Sequence, residues 1–272
     1  MVLVNQVRRV RASRELVWNL CLRELRAKYR RSFLGWTWSL LNPLTVVLTY
    51  GFVFGVVLGA TAPLGDPSGL QNFALYLLTG VLPWGFFTLT TGQGLIALSS
   101  NAGLVRKVSF PREALVLSQS LFCLIQHSIE MLVLNVMMLA FGVNVLPHLP
   151  ITIFLIAMNS MFATGIGFIL APTTVYFRDL PYLWQVVTQI YFFMTPVIYT
   201  ADAIKDKVPE FVSSVLRWNP MAVVTRGFRH TLYDGGSPPL STFIYLPIVA
   251  IGMLSLGLFV FRRLDRRIAE EL

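Results

Sequence analysis

From Pro67 to Val105 the chain runs 39 residues without a charged side chain. Uncharged apolar runs of about 20 residues are what a bilayer core demands of a helix. The same bias holds throughout: 55% of residues are hydrophobic and 13% charged, against about 25% charged in soluble domains. The apolar segments are continuous, not alternating, which argues against a transmembrane β-barrel. The fold class expected is all-α: a polytopic membrane protein forming one domain over residues 1–272. Hydropathy places six spans near 36–60, 72–98, 116–141, 150–175, 182–200 and 241–261. The first apolar stretch is too short for a secretory signal and no small-residue cleavage site follows, so none is expected.

The net charge of +9 raises the question of nucleic acid, but the distribution of cations answers it. With both termini on one side, that side collects 17 Lys and Arg, against 5 on the other. That is the positive-inside bias, and it predicts cytoplasmic termini and accounts for the net charge without a nucleic acid partner; a plasma (inner) membrane protein is expected. The two cysteines, Cys21 and Cys123, fall in a basic segment and an apolar run. Neither a disulfide nor a Cys/His metal site is expected from that placement.

Three segments interrupt the apolar pattern. Over 14–32, Trp18, Cys21, Leu22, Leu25 and Tyr29 recur at helical spacing while Arg23, Arg26, Arg30 and Arg31 lie off that stripe. This predicts an amphipathic helix at the inner leaflet, its cations near anionic head groups of membrane lipids; a simple topology anchor would read the same way. Over 100–114, "LVRKVSFPREAL" brings three cations and an acid between two spans. Over 201–236, two helical runs of about ten residues are broken at Asn219-Pro220 and ended at Gly235-Gly236. Segments of that length are re-entrant or interfacial more often than spanning. In the first span, Asn42-Pro43 predicts a kink.

Catalytic chemistry is missing from the sequence. There is no GxxxxGK[ST] phosphate loop, no serine elbow, no HExxH and no clustered acid pair. The chain reads as no enzyme and carries no cofactor of its own. Inside the spans the informative polar residues are Gln126, His127 and Glu130, with His127 and Glu130 three apart on one helix face. A carboxylate within a membrane faces a partner or water. Pathway lining and a structural hydrogen bond between helices both fit. Aromatic residues near span ends suit interfacial belts, and their faces also suit stacking on sugar rings.

"RELRAKYRRSFLGWTWSLLNPL", "LVRKVSFPREAL", "YFRDL", "TPVIYT" and "WNPMAVVTRGFRHTL" occur in this order and spacing. Together they resemble the permease subunits of ABC exporters for polysaccharides: O-antigen, capsule, teichoic acid and mycobacterial galactan. The resemblance covers the chain from about Arg14 to Leu272. The Arg-rich ends look most like an actinobacterial member, with galactan as one candidate glycan. The resemblance implies a homodimer of this chain paired with two copies of a separate ATP-binding subunit, which would hold ATP and Mg. It implies export of a polyprenyl-pyrophosphate-linked glycan.

Within it, Leu104, Val105, Arg106, Lys107, Phe110, Pro111, Arg112 and Glu113 look like the coupling helix that docks on the ATPase, with Phe110 as the apolar anchor. Residues 14–32 look like a gate helix, with Arg23, Lys28, Tyr29, Arg30 and Arg31 near the pyrophosphate. The helices within 201–236 look like a gate on the far side. Trp38, Tyr50, Tyr191 and Phe192 are conduit-lining candidates. The alternative is a secondary transporter or channel working without ATP; such proteins often show internal repeats and several intramembrane charges, and neither is evident here.

Overall fold

The computed structural model describes residues 14–29, 37–57, 59, 61–199 and 209–265. Among them there is no strand. Ten α-helices follow in order: α1 (Arg14–Tyr29), α2 (Thr37–Tyr50), α3 (Phe73–Ile96), α4 (Ala102–Lys107), α5 (Glu113–Ala140), α6 (Leu149–Tyr176), α7 (Leu180–Phe193), α8 (Glu210–Trp218), α9 (Pro220–Phe228) and α10 (Leu240–Leu264). α2 continues as a π-helical stretch, Gly51–Val57, and α9 as another, Arg229–Tyr233.

Four helical stretches among the described residues are long and apolar enough to cross a bilayer: α3, α5, α6 with its leading turn (Leu146–Tyr176), and α10. They coincide within a few residues with the second, third, fourth and sixth expected spans. The first and fifth expected spans correspond to α2 and α7, each 14 residues long. At 1.5 Å per residue, 14 residues cover about 21 Å, short of a roughly 30 Å hydrocarbon core. The apolar course of α2 is carried on to Val57 by the π-helical stretch.

The boundaries have local causes. The Asn72 side chain accepts from the Leu75 amide at 3.1 Å and caps α3. Asn219 caps α9 in the same way, with Pro220 at the first helical position, where its missing N–H costs nothing. α3 is the centre of the fold. It packs against α2, α5, α6, α7 and α9, and its apolar window is 72% buried. Asn159 of α6 donates to the Pro83 carbonyl of α3 at 3.0 Å, a buried bond between helices. α6 and α10 approach closely at Gly165 and Gly257: a Cβ on Gly257 would stand 2.1 Å from the Gly165 carbonyl oxygen. Small residues at the crossing permit this packing where no hydrophobic drive separates protein from lipid.

α1 is no free surface helix. Leu20, Cys21 and Leu25 are buried against this chain's own helices, Cys21 and Leu25 beside Phe86, Phe122 and Cys123. Trp18, expected on the same apolar stripe, is half exposed. Both cysteines are free and buried. α2 with its π-helical continuation, and α7, each leave an apolar face uncovered, with Leu48, Phe52 and Val56 on one and Tyr182, Val186 and Ile190 on the other.

Candidate functional site

Charged and polar side chains gather in three places, and the basic end of the bundle is the first. The Arg23 Nη2 of α1 donates to Asn101 Oδ1 at 2.6 Å, just before α4, and to its neighbour Glu24 at 2.6 Å. Beyond α4, Arg112 Nη1 donates to both the backbone oxygen (2.7 Å) and the carboxylate (2.8 Å) of Asp265, at the end of α10. Glu113 pairs with Arg262 at 3.6 Å. The Tyr176 hydroxyl donates to the Leu264 carbonyl at 3.1 Å, bringing the end of α6 to the same place. The segment expected to couple is thus tied to α1 before it and to α10 after it.

Within that segment, Val105 is buried, Leu104 half-buried, and Arg106, Lys107 and Pro111 exposed. α4 ends at Lys107, three residues before Phe110, because Val108 turns extended (φ −131°, ψ 134°). Pro111 stands two residues before α5. Phe110, read from the sequence as the anchor, packs partly on this chain's own cluster of Leu20, Leu98 and Val105. Arg112, expected within the segment that docks on the ATPase, is engaged with Asp265. The exposed apolar side chain here is Val108, 52% accessible.

The second group lies where α1 meets α5. The Lys28 ammonium donates to Gln126 Oε1 and stands 5.5 Å from the centroid of the Phe122 ring. Partial burial lowers the Lys28 pKa from its ordinary value, while the charge of Glu130 works against that shift. Gln126 reaches Glu130 Oε1 at 3.4 Å, and His127 Nδ1 lies 3.8 Å from Glu130 Oε2. The intramembrane carboxylate therefore has an ammonium, an amide and an imidazole around it.

The third group holds the opposite end. The Arg229 guanidinium donates to the carbonyls of Pro196 (2.7 Å) and Val197 (2.5 Å), and at 3.4 Å to Tyr199. It also lies over the Tyr76 ring of α3, 4.1 Å from the centroid. Asn219 accepts from the Tyr191 hydroxyl at 2.6 Å and donates to the Met194 carbonyl and Thr195 Oγ1, both at 3.1 Å. The motifs "TPVIYT" and "WNP", 20-odd residues apart in sequence, are thereby joined. The Tyr233 hydroxyl donates to the Pro63 carbonyl at 2.8 Å and accepts from the Asn72 amide at 3.2 Å, closing the loop that precedes α3 onto the same assembly.

Of the conduit candidates, Tyr191 and Phe192 point inward. Tyr191 packs against Trp84 and Phe87, and Phe192 against Trp84, with centroids 5.4–5.8 Å apart. Tyr50 stacks on Phe54 at 5.8 Å. Tyr29 and Trp38 lie on α1 and α2; Arg30 and Arg31 lie outside the described residues. Arg23 and Lys28 are both bonded within the chain. Asn101, Asp265, Tyr76, Asn219 and Arg229 were not singled out as functional residues in sequence. For the last two the signal was present, in the quoted "WNPMAVVTRGFRHTL". No group of His, Cys, Asp and Glu suited to a metal occurs among the described residues.

Comparison with known proteins adds a lineage to this geometry. The ABC-2 type transporter family model matches residues 15–233, from α1 through the turn that ends at Tyr233. The O-antigen export system permease protein RfbA of Myxococcus xanthus is 29% identical over 270 residues, 99% of this chain and 100% of that protein. An RfbA of Klebsiella pneumoniae is 28% identical over 251 residues, 92% of each chain. The polysialic acid transport protein KpsM of Escherichia coli is 25% identical over 248 residues, covering 89% of this chain and 91% of its own.

Proposed function

This chain belongs to the ABC-2 type transporter family, and we propose that it is the membrane-spanning, non-catalytic subunit of an ATP-driven polysaccharide exporter. Its cargo would be a polyprenyl-pyrophosphate-linked glycan, galactan being one candidate, moved from the cytoplasm across the plasma membrane. Relatives matched over nearly their whole length are permeases for O-antigen and a transport protein for polysialic acid, which supports the substrate class. ATP would be hydrolysed on a separate partner, since this sequence has no phosphate loop. Two copies of each subunit would form the working complex, with the uncovered apolar faces of α2 and α7 available to the second copy and the conduit. In this reading the bundle has six membrane-entering segments, α1 is interfacial, and both termini are cytoplasmic.

The observation that carries the reading is the bracing of the 100–114 segment. A coupling element must be exposed to a soluble partner and tied to the parts that move. Arg106, Lys107 and Val108 are exposed, while Arg23–Asn101 on one side and Arg112–Asp265 on the other bind the segment to α1 and α10. A push on α4 then reaches the gate helix and the last span without intermediaries.

The test is copurification of the encoded ATP-binding partner with the full chain, with and without residues 103–110. The reading expects a complex with the intact chain and none with the deletion, while membrane insertion persists. A partner that binds both forms equally rejects the coupling role. Transport that proceeds without any ATP-binding partner would instead favour the secondary transporter or channel.

A further inference from the structure

Between α3 and α5 lies a cavity of about 460 Å³ that the transport reading does not use. Its size falls in the roughly 300–1,000 Å³ range of small-molecule sites. One wall is apolar, with Leu82 and Leu89; the other carries Gln126, His127 and Glu130. His127 is 1% exposed, and neither of its ring nitrogens has a hydrogen-bond partner. Its Nδ1 is 3.8 Å from Glu130 Oε2, beyond hydrogen-bond reach. Phe86 stacks on the imidazole with centroids 4.5 Å apart and fixes its plane. A buried polar group left unpaired costs free energy that a suitable ligand would recover.

The electrostatics narrow the ligand. Glu130 brings one negative charge and Lys28 of α1 one positive charge, with Gln126 bonded to both. A purely cationic head group meets Lys28 and a purely anionic one meets Glu130, so neither finds a clean opposite field; a zwitterionic head group answers both charges, and the phosphatidylcholine of the test membrane supplies it as the standing competitor. A neutral hydroxyl suits each group. It donates to the carboxylate or to the unprotonated imidazole nitrogen, and accepts from the protonated one. Adjacent hydroxyls satisfy the set together, and the apolar wall accommodates a hydrocarbon tail. Both bounding helices are long enough to cross the membrane, so such a molecule reaches the cavity from the bilayer.

We propose that this cavity binds the uncharged, hydroxyl-rich head group of a membrane lipid, of the sugar or polyol kind, through His127, Glu130 and Gln126. The site stands independently of the transport reading, and its test involves no ATP.

Gly85 lines the cavity, and a Cβ there would meet nothing within 4 Å. Gly85→Leu therefore adds bulk at the cavity's lining, with room for its Cβ. The full chain is placed in phosphatidylcholine vesicles carrying a photoactivatable monogalactosyl diacylglycerol, and crosslinked peptides are mapped. Labelling is expected on residues 81–89 and 123–130, and unlabelled galactolipid should compete. It should fall about fivefold or more in Glu130→Gln, the loss expected for one or two hydrogen bonds, and at least as far in Gly85→Leu, where added bulk competes with the head group for the space. Competition by phosphatidic acid as strong as by galactolipid would overturn the neutral assignment. Equal competition by water-soluble methyl galactoside would overturn the lipid source. Labelling spread along α3 and α5 and unchanged by Gly85→Leu would remove the site.

Discussion

The guanidinium carbon of Arg229 lies 4.1 Å from the centroid of the Tyr76 ring, while its nitrogens hold the carbonyls of Pro196 and Val197 at 2.7 and 2.5 Å. One buried cation thus ties three sequence-distant pieces together: α3, the "TPVIYT" segment and the turn after α9. The carbonyls take the place of water around the charge, and the ring covers one face.

Arg229→Lys should be costly. A lysine keeps the charge but cannot fork to two carbonyls from one planar group. Hydrogen bonds to a charged group contribute about 1.5–3 kcal/mol each, and the loss should appear as a lower unfolding temperature in detergent. Tyr76→Leu leaves the carbonyl fork in place and removes the ring's attraction for the cation, about 0.5–2 kcal/mol, together with the ring's contacts to Phe73 and Tyr233. Equal stability of Arg229→Lys and wild type would show that the carbonyl fork contributes nothing.

Asn219 and Tyr191 should behave as a coupled pair. The tyrosine hydroxyl donates to Asn219 Oδ1 at 2.6 Å, and the same amide holds Met194 and Thr195. Asn219→Ala removes four contacts of this kind, including the cap on the Met221 amide, whereas Tyr191→Phe removes one. The double variant should be less destabilised than the sum of the singles, with an interaction energy of about 0.5–3 kcal/mol. Strict additivity would mean that the bond carries no weight.

In the proposed coupling segment, Phe110 is half-buried and Val108 exposed. Val108→Asp should weaken association with the ATP-binding partner more than Lys107→Ala does, because an exposed apolar side chain gains most from burial at an interface. Arg112→Ala should leave association nearly intact yet loosen the link to α10. That pair is partly exposed, so its stability effect should be at or below about 1 kcal/mol. Partner copurification and substrate-dependent ATP hydrolysis read the two effects separately. Wild-type, substrate-dependent hydrolysis in Arg112→Ala would detach the pair from transmission.

Much of this was legible in the sequence. The four long spans stand out because an apolar run has one meaning when it is long and uncharged. The clustering of charges at one end follows from the positive-inside pattern. What stayed hidden is pairing across the chain: the Arg23–Asn101 and Arg112–Asp265 contacts join residues 78 and 153 positions apart, and no local pattern encodes them. Phe110 illustrates the limit. An aromatic in a charged loop suggests a partner's pocket; that Phe110 also packs partly on the cluster of Leu20, Leu98 and Val105 is a contact no local pattern shows. The stripe on α1 was similarly ambiguous: the spacing identifies a buried face but not whether lipid or α5 covers it.

The α6–α10 crossing gives a matched pair of variants. Gly257→Leu places a Cβ 2.1 Å from the Gly165 oxygen, whereas Gly252→Leu meets nothing within 4 Å. Overpacking of this kind costs about 1–3 kcal/mol or more, so Gly257→Leu should lower yield and unfolding temperature while Gly252→Leu is neutral. Equal tolerance of both would show that the two helices are not packed at this point.

Co-reconstitution of this chain with its ATP-binding partner, in vesicles loaded with polyprenyl-pyrophosphate-linked glycan, measures the proposed activity itself. Glycan should become accessible to a glycan-binding probe on the face opposite the partner only when ATP is hydrolysed. It should stop when the partner's phosphate-loop lysine is replaced or when residues 103–110 of this chain are deleted. Glycan crossing at the same rate without ATP hydrolysis would contradict the exporter.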